Sequence, residues 1–336
     1  RREWDGIMRK VVTGVAVAVA ALISGAAAAQ DFTPAVIFDM GGKFDKSFNE
    51  AAYNGAERFK EETGIEYLEF EITQEAQRDQ AMRRMIRSGA NIVVVVGFQN
   101  ATPLESVAAE NPEVNFTIID AVVDLPNVQS ITFKEHEGSF LVGMAAAMAS
   151  ETGTVGFVGG MDIPLIRNFA HGYEQGVKHV DPDAEVLVNM TGTTPAAWND
   201  PARGGELAIG QFNQGADVVY AAAGSTGLGV LQAAADEGKL SVGVDSNQNH
   251  LHPGSVLTSM LKRVDVAVYN AFKDSMDGTW EAGASSLGLA EEGVGYALDE
   301  NNRELISPEM EAAIEEAEAQ IISGDIVVED YYSTQN

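Results

Sequence analysis

The feature that most constrains the fold of this chain is a rhythm in which a short apolar run is followed by a helical stretch and then by another apolar run. Ala35–Phe38, Glu66–Phe70, Ile92–Val96 and Phe116–Ile119 form a first series, separated by expected helices near Ser47–Thr63, Gln74–Ser88 and Thr102–Asn111. In the first of these helices Phe48, Ala52, Ala56 and Phe59 are spaced three or four apart and share one face. After a helix around Phe140–Ser150 the rhythm repeats in Val155–Val158, Glu185–Met190, Val218–Ala222 and Ser241–Val244, with helices over Ile166–His179, Arg203–Gln214 and Gly227–Glu237 between them. Continuous Val and Ile runs belong to strands covered on both faces, as in parallel sheets. The sequence therefore predicts an α/β protein of two doubly wound, Rossmann-like lobes with right-handed crossovers. Beyond Pro253 and Gly254 come the apolar stretch Val256–Leu261, a helix near Val264–Met276, a Gly-rich segment and a helix near Pro308–Ser323. These late pieces are expected to return to the lobes, giving 30–145 plus about 256–285 for the N-terminal lobe and 146–255 plus about 286–336 for the C-terminal lobe.

The start of the chain reads as an export signal. Met8, Arg9 and Lys10 precede an uncharged run, Val11–Ala29, that ends in small residues at Ala27 and Ala29. That run approaches the length of a membrane-spanning helix, but its small-residue cleavage site favours a signal peptide within residues 1–29, with Arg1–Ile7 as an upstream extension. Periplasmic localisation follows as an expectation. The 336 residues include no cysteine, so the sequence holds no disulfide, thiolate metal site, cysteine nucleophile or lipid-modified cysteine, and no direct membrane anchor is expected. With 21 Lys and Arg against 50 Asp and Glu, the formal charge is −29, which makes nucleic acid and anionic membranes poor partners.

In open α/β sheets ligands bind beyond the carboxyl ends of the strands, where winding reverses. Asp39, Asp120 and Asp245 each follow such a strand, and Asn49 lies just inside the first helix. Each alone also suits a cap or turn; as a set at one edge of two sheets they suit a neutral polyhydroxylated or nitrogenous ligand, because carboxylates accept hydrogen bonds from hydroxyls, amides and amines. Phe48 and Trp198 offer rings near these ends. Phe48 is also in phase with a helical core, whereas Trp198 lies in the polar stretch Thr193–Asp200, where no helical or strand pattern claims it. One ring from each lobe would sandwich a flat ligand.

Signals for catalysis are weak. Ala223–Gly227 approaches, without matching, the G-x-S-x-G nucleophile elbow and reads instead as a tight turn with backbone amides toward the cleft. His250-x-His252 reads as an exposed turn pair rather than a metal site, and no metal or cofactor is expected.

Several segments resemble the basic membrane protein family of receptors serving ATP-binding-cassette importers, best known for purine nucleosides. The strongest match is Gly42–Asn49, GKFDKSFN, similar to the D-K-S-F-N signature of the family. Val155–Pro164, Ala223–Gly229, Gly243–Gln248 and Leu257–Arg263 add further matches in order along the chain. The resemblance implies a type I periplasmic binding fold, a nucleoside closed between the lobes, permease subunits as partners, a monomer and no catalysis. Carried over by position, it gives Phe48 and Trp198 as the stacking rings, Asp39, Asn49 and Asp120 as the residues holding the base, and Gly224, Asp245 and Lys262 as those holding the ribose. Taken on its residues alone, Lys262 reads as a solvated lysine at a helix start. Two other readings use the same cleft: a nucleoside or sugar hydrolase, and a ligand sensor for a membrane receptor.

Overall fold

The computed structural model describes residues 32–335; the expected signal peptide, residues 1–29, lies outside them. The first lobe begins with β1 (Pro34–Phe38), α1 (Phe48–Thr63), β2 (Leu68–Glu71), α2 (Arg78–Arg87), β3 (Ile92–Val96), α3 (Ala101–Glu110), β4 (Asn115–Ile119) and β5 (Val128–Phe133). The second contains α4 (Glu135–Ala149), β6 (Thr154–Met161), α5 (Pro164–Val180), β7 (Glu185–Gly192), α6 (Pro201–Phe212), β8 (Val218–Ala222), α7 (Gly227–Asp236), β9 (Leu240–Asp245) and β10 (Val256–Lys262). The chain then gives α8 (Val264–Asp277) and β11 (Gly283–Leu287) to the first lobe, and β12 (Val294–Tyr296) and α9 (Pro308–Ser323) to the second.

Each lobe is built on a six-stranded sheet, in the orders β11-β5-β4-β3-β1-β2 and β12-β10-β9-β8-β6-β7. All pairings are parallel except that of β12 with β10. Every residue of β1, β3 and β8 is buried, as their unbroken apolar runs require. The first core gathers Ile37, Val95, Leu104 and Phe116 between sheet and helices, and the second gathers Val158, Val219, Val230 and Leu231. Winding reverses between β1 and β3 and again between β6 and β8, which sets two crevices at the carboxyl edges of the sheets.

Three connections pass between the lobes: Lys134, Arg263 and the segment 288–293. They are laced together where they run side by side. Lys134 N donates to Leu287 O at 2.9 Å, Arg263 N to Gly293 O at 2.9 Å, and Leu289 N to a Glu137 carboxylate oxygen at 2.9 Å. The first two crossings differ from the boundaries expected at 145 and 255. Val256–Lys262 does not open the return to the first lobe; it pairs in parallel with β9, reached by a connection whose only regular piece is the short turn Asn249–Leu251, so no intervening helix marks it. Residues from Glu135 onward belong to α4, which lies against α5 so closely that a Cβ on Gly143 would sit 2.3 Å from Tyr173 O and one on Gly176 would sit 2.0 Å from Phe140 O. Among the described residues no helix is long and apolar enough to cross a membrane.

Candidate functional site

The two crevices face each other across a cavity lined by residues of both lobes. Asp39, Phe48, Asn49, Asp120, Trp198, Gly224, Asp245 and Lys262 all line it.

The first lobe supplies a preorganised polar wall. Asp39 follows β1, and its carboxylate lies 2.7 Å from the guanidinium of Arg78, the first residue of α2. Arg78 is buried and also donates to Asn100 Oδ1 at 3.2 Å and Gln99 Oε1 at 2.8 Å, so it is a fixed charge behind the cavity wall. Burial pushes the Asp39 pKa up against the opposing pull of Arg78. Gly97, at the end of β3 with φ 101°, leaves room for this carboxylate: a Cβ there would fall 2.1 Å from Asp39 Oδ2. Asn49 Oδ1 accepts from Asp39 N at 2.8 Å, and Asn49 Nδ2 donates to Asp45 Oδ2 at 3.2 Å, so the amide is locked in one orientation. Asp45 caps α1 by accepting from the backbone N–H groups of Ser47, Asn49 and Glu50 at 2.8 to 3.1 Å. Its burial raises its pKa to about 6 despite those bonds.

The second lobe supplies a cation and the wider aromatic surface. Lys262, the last residue of β10, is 2% exposed, and its Nζ lies 2.7 Å from each oxygen of Asp120 and 3.1 Å from Glu135 Oε1. It also sits 5.1, 5.2 and 5.5 Å from the ring centroids of Phe48, Phe133 and Phe169. Burial lowers the ammonium pKa, but Asp120, Glu135 and Asp245 together more than offset this and hold it above the ordinary lysine range. Asp120 and Asp245 are non-glycine residues with φ of 70° and 63°, a conformation that asparagine and aspartate tolerate best. The same bend at the ends of β4 and β9 turns both carboxylates toward the space between the lobes. Burial raises the Asp245 pKa to about 6, opposed first by Lys262 and then by a hydrogen bond from Ser47 Oγ at 2.5 Å.

Trp198 ends the short turn Pro195–Trp198, and its indole lies over Gly160, where a Cβ would approach Cζ3 to 2.2 Å. Gly224, with φ 56°, lies against the other flank of the same residue and opens the turn Gly224–Thr226 that leads into α7. Ser225 Oγ, the hydroxyl of the near-match to a nucleophile elbow, donates to Gly41 O at 3.1 Å. His250 and His252 lie at the turn after β9, and among the described residues no group of three or more histidines and carboxylates is arranged to hold a metal ion.

Five hydrogen bonds tie the turn 41–47 of the first lobe to the second: those from Ser225 Oγ to Gly41 O and from Ser47 Oγ to Asp245 already given, Ser47 Oγ to Val244 O at 3.4 Å, Ser246 Oγ to Ser47 O at 2.8 Å and Gln248 Nε2 to Lys46 O at 2.8 Å. The lobes are closed on one another. Sequence reasoning did not single out Arg78, Phe98, Glu135 or Phe169, each of which lines the cavity or touches a residue that does. Neither an arginine at the start of an amphipathic helix nor a glutamate at the start of an apolar one carries a signal of burial, and Phe169 reads as an ordinary core position of α5.

A family model described as ABC transporter substrate-binding protein PnrA-like, named Bmp, matches residues 32–331. The chain belongs to the Bmp family. Among its relatives an uncharacterised lipoprotein of Pyrococcus horikoshii is 39% identical over 276 residues, covering 78% of this chain and 68% of its own. Basic membrane protein A2 of Borrelia garinii subsp. bavariensis is 31% identical over 315 residues and covers 91% of both chains. A crystal structure of an ABC transporter solute-binding protein from Aeropyrum pernix K1 superposes with a TM-score of 0.81 at 32% identity, covering 90% of this chain and 96% of that one. The fold is thus the type I periplasmic binding fold, and Bmp membership implies a small-molecule ligand and permease partners. The Pyrococcus relative is named a lipoprotein, whereas the present sequence contains no cysteine.

Proposed function

We propose that this Bmp-family protein is the periplasmic receptor of an ABC importer and that it closes on a nucleoside, with purines preferred. The observation that carries this reading is the composition of one enclosed cavity. Phe48 from the first lobe and Trp198 and Phe169 from the second give apolar faces for a flat base, while Asp39, Asn49, Asp120, Asp245 and Lys262 place acceptors and one donor cation around them. A purine base offers ring faces for stacking and N–H groups for the carboxylates. Ribose offers adjacent hydroxyls, one able to donate to Asp245 and one able to accept from Lys262.

In this reading the protein binds and releases its ligand unchanged and works as a monomer, and only the closed arrangement presents both lobes to the permease correctly. The test is calorimetric titration and thermal shift of the refolded, ligand-free protein with purine nucleosides, pyrimidine nucleosides, free bases and ribose. At 100 times its dissociation constant a native-state ligand adds about 2.7 kcal/mol of stability. A shift with purine nucleosides and none with ribose is expected, with the nucleoside recovered intact by chromatography. Stabilisation by ribose alone would move the specificity to the sugar, and turnover would make the protein a hydrolase.

A further inference from the structure

The ammonium of Lys262 has a neighbour that the reading of the ligand cavity leaves without a role. Glu135 is 1% exposed and is the first residue of α4, immediately after the crossing at Lys134. Lys262 is the last residue of β10, immediately before the crossing at Arg263. The two residues therefore stand in one lobe, each next to a crossing of the hinge. Glu135 is also fixed from behind: its Oε2 accepts from Asn168 Nδ2 at 3.1 Å, and Asn168 Oδ1 accepts from Tyr331 N at 2.9 Å, all within the second lobe. Asp120, in contrast, follows β4 of the first lobe and reaches Lys262 across the gap. Asp245 acts on the ammonium from the second lobe, with one oxygen occupied by Ser47 Oγ.

We infer that Glu135 is a positioning residue that serves as the resident counter-ion of Lys262 and holds the lobes back from closing, whereas Asp120 is the arriving counter-ion that draws them shut. This rests on the reading of the protein as a receptor whose lobes open and close, and not on the identity of the ligand. When the lobes part, Asp120 leaves with the first lobe and Glu135 stays on the ammonium, which it also contacts at 3.1 Å in the closed state, so what differs between the states is its repulsion of Asp120. In the closed state the two carboxylates crowd the same Nζ and repel each other, and the Asp120 charge does raise the Glu135 pKa, after the larger effect of burial. Neutralising Glu135 removes its contact with Lys262 from both states but relieves only the closed state of a repulsion, and so favours closure. Neutralising Asp120 removes an attraction that only the closed state enjoys. Two carboxylates on one ammonium thus have opposite effects on closure.

Native-state hydrogen exchange of the ligand-free protein, read by NMR, tests this through the side-chain amide protons of Gln248, whose Nε2 donates across the interface to Lys46 O and is freed when the lobes part. Asp120→Asn is expected to speed their exchange by about tenfold or more, the loss of a charged hydrogen bond. Glu135→Gln is expected to slow it by about threefold or more, the sign that follows from the Coulomb terms. Glu135→Asp, which draws the carboxylate back by one methylene, gives the same sign with smaller size and serves if Glu135→Gln does not fold. In an Asp120→Asn background the effect of Glu135→Gln is expected to vanish, because the repulsion it relieves is already gone. Faster exchange in both Asp120→Asn and Glu135→Gln would show Glu135 to be merely structural and overturn the inference. No acceleration in Asp120→Asn would overturn the opening motion itself, and the inference with it.

Discussion

Asp120 is the residue on which most of the site turns, because it ends a strand of one lobe and pairs with a lysine of the other. Asp120→Ala removes an acceptor facing the cavity and also places alanine at φ 70°, where asparagine would be tolerated better. Its affinity for the ligand is expected to fall by roughly 1–3 kcal/mol in calorimetric titration. A titration matching the parent would remove Asp120 from the binding site. The strand-end aspartates were legible in the sequence because the apolar runs before them were. Asp39 and Asp245 flank their turns where the Val and Ile patterns stop, and a short polar side chain is what the reversal of backbone direction there accommodates. Lys262 was legible only through family resemblance, since a lysine between a strand and a helix is usually solvated; its burial depends on Asp120 and Glu135, which lie 142 and 127 positions earlier. Arg78 has the same character, its partner Asp39 being supplied by another element.

At the scale of elements, sheet strands with both faces covered were plain and edge strands were not. β3, IVVVV, has no other reading, whereas β11, GASSL, is four-fifths exposed along its length and has the composition of a loop. Its strand character comes from pairing with β5, whose own VQSITF mixes polar and apolar residues. The α4–α5 contact was likewise hidden, because it is made by glycines rather than by large apolar residues. Gly176→Ala would press a methyl against Phe140 O, 2.0 Å from the ideal Cβ position, and is expected to destabilise by about 1–3 kcal/mol. Gly210→Ala, in α6, has nothing within 4 Å of the added carbon and is expected to stabilise by about 0.5–1 kcal/mol through helix propensity. Denaturant melts of the two variants check the pair; equal changes of one sign would contradict the packing described for α4 and α5.

For the molecule as a whole, closure buries acid. The Asp245 pKa rises to about 6, from an ordinary value of 3.8, mainly through burial. Between those two values the folded protein keeps a proton that the unfolded chain has released, so stability from this group is greatest at low pH and declines as pH rises to about 6. Melting curves of the parent and of Asp245→Asn from pH 4 to 7 are expected to diverge in favour of the variant as pH rises, by about 1–3 kcal/mol, and to run parallel above that window. A constant difference across the range would show that Asp245 is not desolvated in solution.

The three crossings also decide how the chain can be made. The edge strand of the first lobe comes from residues 283–287, and the sheet of the second is finished only by 294–296, so neither lobe is a continuous stretch of polypeptide. A chain emerging from its N-terminus first has no complete lobe to fold until nearly nine-tenths of it is available. The same interleaving ties the fates of the lobes, and calorimetry should show one unfolding transition; two resolved peaks would mean that each lobe holds together without the strand it receives last.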